Sequence, residues 1–477
     1  MESIWSKTCG MKQRSPLSGD LHTEAVIIGG GMAGILTAYQ LERSGIRTVV
    51  LEAERIGSGQ TKNTTAKITA QHGLICRTLA EKKGKEVAAQ FVMANQIAVE
   101  EFEKVIQDEH ISCDFEPCSS YVYSDNEQAL REEAKMAASF GLPAVFTDQI
   151  EIPVPCAGAV RFDRQAKFHP LKFLDALAQQ LTIYEQTPVL DAEEHSVKTA
   201  SGQVTADYII FATHFPFINF PGMYFARMHQ KRSYVLALAD AGILNGMYIG
   251  DQSDSLSFRQ YGRYLLLGGQ GHRTGENKDG GNYERLRQKA RHLYPGSREV
   301  ACWSAQDCMT ADQIPFIGHY AAERPDWFVA TGFQKWGMTS SMLSAMLLRD
   351  LICGIKNPYA DVFAPSRFSA DELSQIVRDS GKAVSGLTKR FFQIPEETIS
   401  MLQPGHGAIV ETDSGKAGVY KTDDQKIYQV DIVCPHLGCQ LAWNPDERTW
   451  DCPCHGSRFD YKGNLLTGPA QRGIHND

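Results

Sequence analysis

Two groups of residues in this chain have the types and spacing of reactive chemistry. The first is Cys434-Pro-His436-Leu-Gly-Cys439, followed by Cys452-Pro-Cys454-His455-Gly-Ser457. One loop offers Cys-x-His and the other Cys-x-x-His, with fifteen residues between His436 and Cys452. Two thiolates and two imidazoles, Cys434, His436, Cys452 and His455, suit tetrahedral zinc. The same set suits a [2Fe–2S] cluster with two cysteines on one iron and two histidines on the other. The second group is Gly29-x-Gly31-x-x-Gly34, with Met32 and Ala33 inside it and Glu52 further on. There Gly29 permits a tight turn, Gly31 lets backbone approach a pyrophosphate, and Gly34 allows close helix–strand packing. Glu52 would accept from an adenosine ribose and repel a 2′-phosphate. NADP is thereby disfavoured, whereas FAD and NAD are not separated.

The elements that must position these groups are legible nearby. Glu24 to Ile28 reads as a buried strand, Ile35 to Ser44 as a helix and Thr48 to Glu52 as a second strand, together a βαβ unit. Residues 78–108 and 127–141 read as amphipathic helices, and Phe168 to Leu181 as another with proline in its first turn. Ala206 to Ala212, Tyr264 to Leu267 and Trp327 to Ala330 are strand-like, and a helix is expected from Thr339 to Cys353. Gly268 to Gly271 reads as a strand-ending turn, so no second nucleotide fingerprint is expected. Residues 371–393 are polar with helical texture and read as a linker helix. Beyond Ile394 the pattern changes to short strands and glycine turns, an all-β module.

The segment Gly57 to His72 (GSGQTKNTTAKITAQH) resembles the loop after the second strand in FAD oxidoreductases of the D-amino-acid oxidase and glycine oxidase superfamily. Thr331 to Thr339 (TGFQKWGMT), preceded by Asp312 to Gly318 (DQIPFIG), resembles that superfamily's C-terminal flavin motif. The resemblance implies FAD as cofactor. It places Gly332, Gly337, Met338 and Thr339 at the flavin, Thr64, Thr65 and Lys67 near the pyrophosphate and flavin, and a Val189 backbone contact at adenine. For the substrate, Arg232 is a candidate carboxylate clamp, and Lys335 and Trp336 are candidates for contact with flavin or substrate. His169 and His272 are read as structural.

The cysteine–histidine pattern closely resembles Rieske proteins of the high-potential, cytochrome bc type. That resemblance implies a [2Fe–2S] cluster, a Cys439–Cys454 disulfide linking the two loops, and a Gly468-Pro469-Ala470 turn over the cluster. It also implies that Ser457 donates a hydrogen bond to a cluster sulfur. Phe459 stands where the family often has a tyrosine donor, so a potential below that of the respiratory relatives is expected. Rieske domains usually continue past this turn with a further strand or two. Here the tail QRGIHND has no strand pattern, which predicts an exposed sheet edge and weakened cluster retention.

Composition bounds the reading. The 48 Lys+Arg and 56 Asp+Glu give a formal net charge of −8, which argues against non-specific nucleic-acid binding. No stretch reaches about 18 consecutive apolar residues, so no integral membrane segment is expected, nor does the polar start read as a signal peptide. Of twelve cysteines, eight are scattered singly between Cys9 and Cys353. The expected architecture is an α/β Rossmann-like FAD-binding domain with an α+β substrate domain, over residues 22–370, plus a C-terminal all-β Rieske domain, 394–477. The FAD-binding segments are expected at about 22–80, 155–225 and 300–365. The expected function is a cytoplasmic FAD-dependent dehydrogenase that oxidises an amine or amino-acid-like substrate. Its electrons would pass through the Rieske cluster to a redox partner. An electron-transfer or redox-sensing protein without a small substrate, and a monooxygenase component, are the alternatives.

Overall fold

The computed structural model describes residues 1–252, 254–367, 399–413 and 415–475; the expected linker helix, 371–393, lies outside them. The apolar run Leu21–Ile28 forms a strand with Thr48–Leu51 parallel on one side and Gly202–Phe211 parallel on the other. Arg324–Thr331 and Ile183–Tyr184 extend this layer, also in parallel. Every residue of Thr48–Leu51 is buried, as expected of a strand covered on both faces. Met32–Arg43 and Gly337–Ile352 pack together on one face of this sheet, so the first glycine turn and the C-terminal motif open at the same end. This is the Rossmann-like half.

The second sheet has nine strands and contains Glu116–Ser124, Gly158–Lys167, Met228–Ala239, Tyr264–Arg273 and Arg298–Thr310. Gly158–Lys167, which falls within a segment expected at the FAD domain, therefore lies in the other layer. Gly268 to Gly271 also departs from expectation: it continues the Tyr264–Arg273 strand, paired along Tyr234 and Val235, rather than ending it. Small residues there leave open the face that the neighbouring cavity occupies. The long helix expected over 78–108 is two helices, Ile75–Lys83 and Lys85–Asp108, broken at Gly84, whose φ of +90° no helix accommodates. His169 caps Pro170–Ala178 by accepting from Lys172 N, a structural role as read from the sequence.

The C-terminal module has a three-stranded antiparallel sheet (Gly407–Thr412, Gly415–Lys421, Ile427–Val430) and a four-stranded one (Ala442–Asn444, Thr449–Asp451, Arg458–Asp460, Leu465–Thr467). Its tail is better anchored than its sequence suggests. Ile474 is buried, Asp431 N donates to Ile474 O, and His475 bridges to Val430. Main-chain pairing needs no alternating pattern, so the tail covers part of the edge that was expected to stand open.

Candidate functional site

A cavity of about 1180 Å³ runs along the C-terminal ends of the parallel strands and under the second sheet. Gly29, Gly31, Met32, Ala33 and Glu52 line it, as do Thr64, Thr65, Lys67 and Val189; Gly337 and Met338 line it from the C-terminal motif. The glycines answer to geometry. A Cβ on Gly34 would sit 1.9 Å from the Gly29 carbonyl oxygen, whereas one on Gly31 would meet only Thr61 Oγ1 at 3.4 Å. The turn thus packs tightly behind and stays bare in front, as a pyrophosphate requires. Gly34, Gly332 and Thr339 shape the site without lining it. Gly332 turns at φ +73° against Thr310, and Thr339 Oγ1 exchanges hydrogen bonds with the backbone of Thr69. Glu52 accepts from Gly30 N at 2.7 Å and Glu54 N at 2.8 Å, while burial raises its carboxyl above the ordinary value. Bare turn, held carboxylate and long cavity fit FAD.

Near the C-terminal motif the cavity is lined by Lys335, Trp336, Lys67 and His72. Lys67 Nζ donates to Thr65 Oγ1, and desolvation, followed by repulsion from Arg259, brings its ammonium down to about 7. It is not a solvated surface lysine. His72, not singled out from the sequence, stacks on Trp336 with ring centroids 4.7 Å apart and donates from Nε2 to Thr69 O. Burial drives it down to about 3, so it is a neutral imidazole. Asp307 faces the same cavity, its carboxyl pushed up to about 6 by burial against the opposing pull of Lys335.

Arg232 is not at the cavity. Its guanidinium bonds Gln306 Oε1 at 2.9 Å, the Ser304 hydroxyl, and Glu447 of the C-terminal module at 2.6 Å. The expected carboxylate clamp is therefore a buried strut between modules. The next residues, Ser233, Tyr234 and Val235, line the cavity, whereas Arg232, on the far side of an irregularity in the pairing with Tyr264–Arg273, lies with Gln230 against the C-terminal module.

The two cysteine–histidine loops are built alike. In one, Cys434 N donates to Cys439 O and Gly438 N to Cys434 O; in the other, Cys452 N donates to Ser457 O and Gly456 N to Cys452 O. The glycine four residues after Cys434 and after Cys452 has φ near +80°, which explains why both loops carry Gly there. His436 Nδ1 and His455 Nδ1 converge to 3.2 Å. Hydrogen bonding from Cys434, and then from the backbone amides of His455, Cys454 and Gly456, holds the Cys452 thiol below its ordinary value despite burial. Burial lowers His436 to about 4, leaving the neutral imidazole a ligand needs. Cys439 and Cys454 form a disulfide. The Ser457 hydroxyl donates to the Cys434 sulfur and accepts from Ala470 N at 3.0 Å, tying the Gly468-Pro469-Ala470 turn to the ligand loop. Phe459 is fully buried in the same core. The converging Nδ1 atoms beside paired sulfurs, with a disulfide between the loops, fit a Rieske cluster.

The two sites share a wall. His214 and Phe215 line the cavity, and the Phe215 ring lies 6.4 Å from His455. Gln230 donates to His455 O at 2.6 Å and Gln306 to Gly456 O at 2.8 Å. Asn219 Oδ1 accepts from His436 Nε2 at 2.8 Å. His214, Phe215 and Asn219 follow the Gly202–Phe211 strand and Gln230 and Gln306 lie within strands, and none of the five belongs to a local motif that would single it out in sequence.

The family model for FAD dependent oxidoreductases (DAO) matches residues 24–351, and that for the Rieske [2Fe-2S] domain matches residues 395–476. The chain is 36% identical over 488 residues to YhfW of Bacillus subtilis (strain 168), whose name is that of a Rieske 2Fe-2S iron-sulfur protein. The match covers 98% of this chain and 96% of that one. Among solved structures, L-proline dehydrogenase from P. horikoshii shares the fold with TM-score 0.63 at 19% identity, covering 74% of this chain and 98% of that one. Glycine oxidase from Geobacillus kaustophilus gives 0.62 at 19% identity, with 73% and 100% covered. With both cofactor sites formed as described, the chain belongs to the FAD dependent oxidoreductase (DAO) family, is an FAD-dependent oxidoreductase, and carries a Rieske [2Fe-2S] domain after its oxidoreductase domain.

Proposed function

We propose that the chain oxidises an amine or amino-acid-like substrate in the cavity beside Trp336 and passes the electrons through the Rieske domain to a redox partner. When bound, the flavin supplies a two-electron acceptor and the cluster a one-electron carrier. The observation that carries this reading is the shared wall: Thr213, His214 and Phe215 line the flavin cavity, and the same loop holds the cluster loops through Phe215 and Asn219. No domain movement is needed to bring donor and acceptor together. The names of the fold neighbours, a proline dehydrogenase and a glycine oxidase, support a nitrogen-bearing substrate.

The residues assign roles. The stacked His72–Trp336 pair forms a flat, uncharged wall on which a substrate is positioned. With Arg232 tied to Glu447, the cations offered to a substrate carboxylate near Trp336 are Lys335 and Lys67, both lining the cavity, which Arg55 and Lys62 also line. Asp307, protonated below about pH 6, faces them and takes up a substrate ammonium above it. A cytoplasmic site of action belongs to the same reading, since the cluster disulfide is shielded, with Cys439 2% and Cys454 6% exposed. No helix among the described residues is long and apolar enough to cross a membrane.

Anaerobic mixing of the purified protein with a panel of amines and amino acids tests this. Flavin bleaching followed by appearance of the reduced-cluster signal is expected. Failure of every organic donor to bleach the flavin would overturn the proposal and favour an electron-transfer protein without a small substrate.

A further inference from the structure

The glycine turn and Glu52 fix the direction of a bound dinucleotide: pyrophosphate at Gly29–Gly31, adenosine ribose at Glu52, adenine beyond it. What lies beyond Glu52 is set by main-chain bonds. Thr187 N donates to Glu52 O at 2.8 Å and Gln186 N to Glu54 O at 2.9 Å, which lays Pro188, Val189 and Leu190 beside the carboxylate. All three line the cavity, and so does the continuous segment Leu465 to Gln471 of the Rieske domain. Gln471 Nε2 joins the two by donating to Leu190 O at 3.2 Å and Val189 O at 3.5 Å. At this end stand two exposed leucines, one from each domain: Leu190 at 47% and Leu466 at 52%. Leaving both in water is unfavourable, and a flat, largely apolar base placed between the domains covers both.

We propose that the Rieske domain completes the adenosine half of the FAD site, with Leu466 and Leu190 clasping the adenine and Gln471 holding the clasp shut. The same segment faces the cluster on its other side, because Ala470 N is tied to Ser457 Oγ. FAD occupancy and the cover over the cluster are therefore linked, and each strengthens the other. This inference does not depend on which substrate is oxidised.

The test measures FAD binding and backbone protection rather than turnover. FAD is stripped from the full chain under conditions that retain the cluster's visible spectrum, and FAD affinity is read by quenching of flavin fluorescence. Leu466→Ser should weaken FAD binding about fivefold, the effect of losing cover on half a leucine, and Gln471→Ala should weaken it in the same direction. Hydrogen exchange of the wild-type peptide spanning 465–471 should slow when FAD is added back. Wild-type FAD affinity in both variants, or exchange over 465–471 that is indifferent to FAD, would overturn the proposal.

Discussion

Replacing Glu447 by glutamine tests the buried strut between the domains. The carboxylate accepts from Arg232 at 2.6 Å and from the Ser304 hydroxyl at 2.6 Å, and lies 3.2 Å from Arg458. Burial opposes its ionisation, but Arg232 and then Arg458 outweigh it and hold the carboxyl at about 2. Against the ordinary value of 4.5, that displacement is worth about 3 kcal/mol at 1.36 kcal/mol per unit. Breaking a buried ion pair by removing one partner costs about 3–5 kcal/mol, so the two routes agree. The sign follows from a depressed carboxyl. The contribution is complete above about pH 4.5 and disappears as pH falls towards about 2. Glutamine removes it at every pH and leaves Arg232 buried, its Nε already without a partner. The assay is urea unfolding at neutral pH, with cluster absorbance and tryptophan fluorescence followed separately, because two domains need not unfold together. Glu447→Gln should lose about 3 kcal/mol in the transition that reports the Rieske domain. Adding Arg232→Met should restore much of it, since no orphaned charge remains. A single variant within about 0.5 kcal/mol of wild type, or a double variant equal to the sum of both singles, refutes the reasoning.

Asn219→Leu leaves His436 Nε2 without its acceptor and should weaken domain docking by about 1 kcal/mol, the net value of one hydrogen bond. The check is faster proteolysis between the domains with an unchanged cluster spectrum. Lys67, brought down to about 7, is protonated below that pH and neutral above it. The oxidised flavin spectrum should therefore change with an inflection near pH 7 that Lys67→Met abolishes; a flat wild-type profile would count against a lysine facing the flavin. Ser457→Ala removes the donor to the Cys434 sulfur and should lower the cluster potential by tens of millivolts, measured by redox titration. Phe459→Tyr should raise the potential, and the wild-type value should lie below that of bc-type clusters.

Both cofactor sites were legible because each rests on a local motif. A turn that tolerates no Cβ at Gly34, and loops that need positive φ at Gly438 and Gly456, leave their mark in the residue types themselves. The βαβ unit was legible for the same reason, since strand and helix periodicities repeat over a few residues. Misread features were those in which periodicity competes with packing. Gly268 to Gly271 looked like a turn and is strand, because the open face of that strand is a cavity wall. The tail after Ala470 looked unstructured and is held by main-chain bonds that no side-chain pattern announces.

The sequence by itself pointed to the two cofactors and to Cys434, His436, Cys452 and His455 as the residues proposed to hold the cluster. Only the tertiary structure decided what Arg232, Asn219, His72 and Gln471 do. Arg232 meets Glu447 across 215 positions, and His436 meets Asn219 across 217. A buried arginine reads the same in sequence whether its carboxylate belongs to a substrate or to another domain. Which of the two it meets is fixed by the face of the strand from which it points, and by the domain packed against that face.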